Sequence, residues 1–256
     1  MLPSLFIDIV AFIFGACIGS FLNVCIYRIP EGLSIVYPGS RCPRCETIIP
    51  FYDNIPIISY LLLAGKCRTC HLPIALRYPF VELLGGLFGL ASVHTFGPTV
   101  QAGVVFVFIA TLIVVTFIDL DHRIIPDRIS LPGIPFFFLA AFALPAIAWQ
   151  ARAIGIVAGG GILFAVAWIY HRITGREGMG GGDIKLLAMI GAMIGWQGIL
   201  FTIFAASALG TIVGLLAMLK SGKGMQLAIP FGPFLAGGAM IYLFFGERLI
   251  DWYLLV

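Results

Sequence analysis

Runs of about 20 apolar residues follow one another along most of this chain, each long enough to cross a hydrocarbon layer of about 30 Å as a helix. The pattern predicts about eight such runs, at about 5–27, 79–96, 101–118, 129–150, 154–172, 184–197, 199–219 and 227–246. The sixth is short and rich in glycine. The first, Leu5 to Ile26, is too long for the apolar core of a signal peptide and has no basic residues ahead of it. It runs into Arg28 without a small-residue cleavage site, so it is read as a retained span. The pattern breaks once, between Arg28 and Tyr78, where the sequence turns polar, proline-rich and cysteine-bearing. The expected fold is an all-α polytopic membrane protein. It divides into a first transmembrane helix (1–27), a small module facing water (28–78) and a seven-helix membrane core (79–256).

Composition agrees: 61% of the 256 residues are hydrophobic and 11% charged, too few polar groups to cover a soluble surface. The net charge of +3 is small and gives no reason to expect a nucleic-acid partner. Its distribution says more. With the module on the cytoplasmic side, every Lys and Arg except Arg152 and Arg248 falls on that side, as the positive-inside rule expects, and both termini lie outside. The bilayer is therefore the first expected partner. Gly15 and Gly19, Gly85 and Gly89, Gly155 and Gly159, and Gly191 and Gly195 each stand four apart, a spacing that lets helix backbones approach closely in lipid. No repeat of solenoid type is visible.

Six cysteines are present. Cys17 and Cys25 lie in the first span, where a thiol behaves as a small apolar group. The other four form Cys42-Pro43-Arg44-Cys45 and Cys67-Arg68-Thr69-Cys70, the spacing of a four-thiolate zinc site. A module so small buries too little apolar surface to fold alone, and a structural Zn2+ would supply the missing energy. Two disulfides or a redox pair are the alternatives; a reducing cytoplasm disfavours the first, and no surrounding βαβ pattern suggests the second. His71 is a spare ligand next to Cys70.

The chain has twelve carboxylates, and one beside a span needs a reason to be there. Asp119 ends the third span, and Asp183 follows the glycine run Gly178-Met179-Gly180-Gly181-Gly182. By the topology above, both sit at the cytoplasmic boundary. Two close carboxylates hold one proton between them, so one can activate water while the other polarises a peptide carbonyl. Gly180 to Gly182 would form a flexible turn open to an extended substrate. Asp121 reads equally as a solvated loop residue, and Asp127 reads best as a helix cap. Buried carboxylates also mark ion pathways, which leaves an ion-coupled transporter with a proton relay as the second reading. A zinc-bearing subunit without catalysis is the third.

At these residues the chain resembles the bacterial type IV prepilin peptidases, membrane aspartic proteases of the G-x-G-D class. The resemblance runs nearly end to end: Gly19-Ser20-Phe21-Leu22-Asn23-Val24 with Arg28 and Pro30, Ser40 to Cys45, Asp53-Asn54-Ile55-Pro56, Gly65 to Cys70, Arg77-Tyr78-Pro79 with Glu82, the two aspartate segments, and Pro230-Phe231-Gly232-Pro233. It implies catalysis by Asp119 and Asp183. The substrates would be prepilins and pseudopilins, cut after a glycine at the cytoplasmic face of the bacterial inner membrane. It also implies methylation of the new amino terminus from S-adenosyl-L-methionine. No motif marks the methyl-donor site; Asp53, Asn54 and Glu82 are polar candidates.

Overall fold

The computed structural model describes residues 4–144, 147–176, 180–221 and 229–254. Outside residues 29–76, a largely irregular segment with two isolated β-bridges, the described residues are helical apart from short loops, and the chain divides into two compact units, Met1–Val114 and Val115–Val256.

In the first unit, α1 (Ser4–Arg28) packs along α3 (Arg77–Phe96). The predicted small-residue stripes are the reason they meet so closely. A Cβ at Gly19 would stand 2.7 Å from the Glu82 Cα, and one at Gly89 2.8 Å from the Ala11 carbonyl oxygen. Asn23, one turn further along α1, donates from Nδ2 to the Tyr78 carbonyl at 3.0 Å and ties the same two helices at their other end. The segment between them carries the cysteines, a 3-10 turn at Phe51–Asp53 and the short α2 (Ile58–Leu62). Arg28 holds the start of this segment, its guanidinium donating to the carbonyls of Ser34 and Gly39 at 2.9 and 3.2 Å. After α3 the chain turns at Gly97 (φ 71°). It enters α4 (Val100–His122) at Thr99, whose hydroxyl accepts the Ala102 N–H at 3.3 Å as a helix cap.

In the second unit, α7 (Gly181–Ser221) is the hub against which α5 (Asp127–Ala140), α6 (Trp149–Thr174) and α8 (Gly232–Leu254) all pack. α6 ends on the left-handed Gly175, whose N–H reaches the His171 carbonyl at 2.8 Å. The glycine pairs expected at 155/159 and 191/195 face each other: a Cβ at Gly155 would lie 2.6 Å from the Gly191 carbonyl oxygen.

Two boundaries differ from the sequence reading. The runs at 184–197 and 199–219 are the two helices joined as α7, and they meet a few residues earlier than expected, at Gly195. The 41 residues of α7 would measure about 60 Å if straight, but Gly195 (φ 74°, ψ 178°) breaks the helix. The run at 129–150 is helical only to Ala140, a 14-residue helix containing Pro132 and Pro135, and continues as a 3-10 turn at Ala141–Ala143. Arg152, 1% exposed, closes that turn: its guanidinium donates to the Leu144 carbonyl and lies 5.9 Å from the Phe142 ring centroid.

Among the described residues, five helices are long and apolar enough to cross a bilayer, namely α1, α3, α4, α6 and α7, and the apolar part of α8 is shorter, Gly232–Gly246. Large apolar side chains such as Phe14, Val157, Phe164 and Phe204 point outward from these helices. With lipid as the solvent such exposure costs nothing, and the chain is a multi-pass membrane protein.

Candidate active site and metal centre

Asp119 lies in the last turn of α4. The helix ends just beyond it, where Arg123 adopts a left-handed conformation (φ 56°) and donates its N–H to the Asp119 carbonyl at 2.9 Å. The side chain is 5% exposed, and its Oδ2 accepts the N–H of Gly232 at 3.0 Å. Gly232 opens α8, so this N–H is one of the donors that a helix start leaves without an intrahelical partner. The positive end of the α8 dipole thus faces Asp119.

Asp183 lies in the first turn of α7, half-buried. Gly182, next to Asp183, and Gly232, which binds Asp119, both close on Ile125. A Cβ on Gly182 would come within 2.8 Å of the Ile125 Cβ, and one on Gly232 within 3.3 Å of its Cδ1 and 2.7 Å of Asp119 Oδ2. Only glycine lets both chain segments close on this side chain. Asp119 is near enough for its charge to act on Asp183.

Other expectations for this region change. Gly181 and Gly182 are helical rather than an open turn, and Gly178 and Met179 lie outside the described residues. Asp127 makes no side-chain cap. It instead receives Lys185 Nζ on both oxygens, at 2.7 and 2.8 Å, joining the first turns of α5 and α7. Asp121 and His122 are exposed. The roles of Gly232 and Ile125 were not read from the sequence. The only available signal was a glycine set between two prolines at the head of an apolar run.

The four cysteines converge. Their sulfurs all lie within 4.8 Å of one another, with Cys42–Cys70 at 3.9 Å and Cys45–Cys67 at 4.0 Å. Those separations are far too long for disulfides. A tetrahedral ion about 2.3 Å from each sulfur would set them about 3.8 Å apart, so the cluster fits such an ion. His71 is not among the four.

The cluster is built from two equivalent knuckles offset by 25 residues, a repeat the sequence reading missed. Cys42 N–H bonds the Thr47 carbonyl as Cys67 N–H bonds Leu72, and Glu46 N–H bonds Cys42 as His71 N–H bonds Cys67. Ile49 N–H bonds Ser40 as Ile74 N–H bonds Gly65, and each knuckle carries one left-handed residue, Glu46 (φ 57°) or His71 (φ 55°). Aligned donors favour the thiolate at two of the four, whereas at Cys70, against a backbone bond from Leu72, burial and the neighbouring sulfurs push the thiol up to about 11. Bonds from the side chain and backbone of Thr47 bring the Cys45 thiol down to about 6, and the N–H groups of Cys70 and Thr69 lower Cys67.

The polar candidates for a methyl-donor site serve the module itself. Asp53 receives Arg68 on both oxygens, at 2.7 and 2.6 Å, which keeps its carboxyl below the usual range. Glu82 accepts the N–H of Ile57 at 2.7 Å. Both carboxylates are already occupied, and Asn54 is exposed on the loop beside them.

Comparison with known proteins places these features. Residues 13–96 match the bacterial peptidase A24 N-terminal domain, and residues 106–215 match the type IV leader peptidase family. A prepilin leader peptidase/N-methyltransferase of Aeromonas hydrophila is 36% identical over 99% of this chain and 95% of its own length. The protein of that name from Pseudomonas aeruginosa is 38% identical over 94% of this chain and 91% of its own. That from Myxococcus xanthus is 40% identical over 83% of this chain and 63% of its own. No solved structure matches. With its carboxylates, its cysteine cluster and relatives similar over almost its whole length, the chain belongs to the type IV leader peptidase family.

Proposed function

We propose that the protein is an aspartic endopeptidase of the bacterial inner membrane. It removes the short basic leader from prepilins and pseudopilins after a glycine, and it methylates the new amino terminus. The observation that carries this reading is the closure on Ile125 of Gly182, next to Asp183, and of Gly232, which binds Asp119, in a member of the leader peptidase family.

In this reading the two carboxylates share one proton. The ionised carboxylate takes a proton from water as the water oxygen bonds to the scissile carbonyl carbon. The protonated one gives its proton to the carbonyl oxygen. When the tetrahedral intermediate collapses, the C–N bond breaks and the leaving amine takes a proton from the pair. The Gly232 N–H fixes Oδ2 of Asp119 and leaves its other oxygen for this work. Both aspartates belong at the cytoplasmic ends of their helices, so a pilin helix can stay in lipid while its cleavage point reaches them.

About eight spans, both termini outside and the cysteine module inside complete the topology. The domains are the first span (1–27), the zinc module (28–78) and the membrane core (79–256). Cys42, Cys45, Cys67 and Cys70 hold a structural Zn2+ that closes the two knuckles. S-adenosyl-L-methionine supplies an electrophilic methyl group. Asp53 and Glu82 are committed to the fold, and neither is assigned to the methyl donor.

The test is cleavage of a purified prepilin in detergent with the product mass recorded. Wild type should release the leader. Asp119→Asn and Asp183→Asn should each be slower by on the order of 10³-fold or more while remaining folded. Full activity in either variant removes that residue from the mechanism.

A further inference from the structure

Helix α2, which joins the two cysteine knuckles, is two-sided. Its inner side is satisfied: the Ser59 hydroxyl, in a residue 6% exposed, donates to the Tyr52 carbonyl at 3.0 Å and accepts the Ile55 N–H at 3.1 Å. The Tyr60 hydroxyl reaches the Ile74 carbonyl at 3.3 Å. Its outer side is Ile58, Leu61 and Leu62, positions that share one helical face and are 54%, 70% and 81% exposed. Three large aliphatic side chains side by side on the outside of one short helix need an apolar neighbour.

Where α2 sits indicates which one. The N–H of Ile57, at the start of α2, donates to Glu82, five residues and about 7–8 Å along α3 from Arg77. Ile57 is held there at positive φ (φ 62°, ψ −48°), which a β-branched residue adopts only when its surroundings impose it. The start of α2 is thereby fixed beside the end of a membrane-crossing helix, not above it. Charge agrees: Arg41 and Lys66, at equivalent positions in the two knuckles, are exposed, as is Arg44.

We propose that α2 lies in the bilayer surface, with Ile58, Leu61 and Leu62 at the headgroup–acyl boundary and Arg41, Arg44 and Lys66 on anionic headgroups. The cysteine module is then docked onto the membrane through α2 as well as through its two chain connections. Apolar burial combined with cationic contact is how short amphipathic elements hold to anionic lipid. The inference rests on α1 and α3 crossing the bilayer, and it is independent of which reaction the protein performs.

The test uses full-length protein in nanodiscs of phosphatidylglycerol or phosphatidylcholine, with a benzophenone amino acid in place of Leu62 or, separately, of Phe14. Phe14 is 60% exposed on α1 and reports the span itself. After irradiation, attached lipid is read from the intact mass. Lipid adducts are expected at both positions, with the yield at position 62 higher in phosphatidylglycerol and the yield at position 14 indifferent to headgroup. Lys66→Gln should cut the headgroup preference at position 62 by roughly five-fold. Lipid at position 14 with none at position 62 overturns the proposal. So does replacement of the lipid adduct at position 62 by one to a second copy of the chain or to added prepilin. An absence of lipid at position 14 would mean that the membrane reading itself has failed, and the inference with it.

Discussion

Gly232 does for Asp119 what few side chains could, offering a buried carboxylate an N–H from a helix start with no Cβ in the way. Gly232→Ala would push a methyl group against Asp119 Oδ2 and lengthen or break that bond. Bonds to charged groups contribute about 1.5–3 kcal/mol, so leader cleavage should slow by about 10- to 100-fold in kcat with prepilin binding retained. Gly237→Ala, in the same helix with nothing within 4 Å of the added methyl, should be silent in the same assay. The Lys185–Asp127 pair is different. Its side chains are 35% and 55% exposed, so Asp127→Asn should change stability by less than about 1 kcal/mol in thermal unfolding. At this scale the sequence exposed the aspartates, because a carboxylate at the end of an apolar run is costly enough to demand a purpose. It did not expose Ile125 or the Gly232 N–H. One is an ordinary apolar residue and the other is backbone.

At the scale of elements, the cysteine module and the α1–α3 pair carry separate expectations. The hydrogen bonds from Arg68 hold the pKa of Asp53 below its ordinary value near 3.8. The stabilisation this represents is complete above that value and is lost as pH falls through the lowered one. Wild type should therefore resist proteolysis between residues 28 and 78 better than Asp53→Asn at neutral pH, and the difference should vanish in acid below the ordinary carboxylate range. An unchanging difference would mean that the ion pair is not its source. In α3, Gly85→Val would drive a branched side chain into the α1 backbone, where a Cβ alone would stand 2.9 Å from the Gly19 Cα. A loss of several kcal/mol, or failure to fold, is expected in detergent unfolding. Both C-x-x-C pairs and the glycine spacing were legible because each is a local pattern. The likeness of the two knuckles was not, because it lies in hydrogen bonds and left-handed residues that Glu46-Thr47-Ile48 and His71-Leu72-Pro73 share without sharing side chains.

For the whole molecule, the proposed topology makes a simple demand. A periplasm-dependent reporter fused after Val256 should be active, and the same reporter inserted in the loop at Val36 should be inactive. The reverse pattern would turn the protein over and place the carboxylates on the wrong face for a leader peptidase. The two runs that merge into α7 do not disturb the demand if the break at Gly195 lets the chain reverse, and accessibility labelling of residues either side of it would tell.

Composition and periodicity record the solvent each residue meets, and lipid, water and metal each leave a local mark. For that reason the sequence alone determined that this is a helical membrane protein with a four-cysteine module and two isolated acidic residues at helix ends. Tertiary structure decided what those parts do to one another. Asp119 and Gly232 stand 113 residues apart, and nothing in either neighbourhood announces the other. Their contact, the closure of two glycines on Ile125, and the seating of Ile57 on Glu82 depend on the path of the chain through space. Only packing selects that path, because helix ends and backbone amides are alike in every sequence until a neighbour arrives to use them.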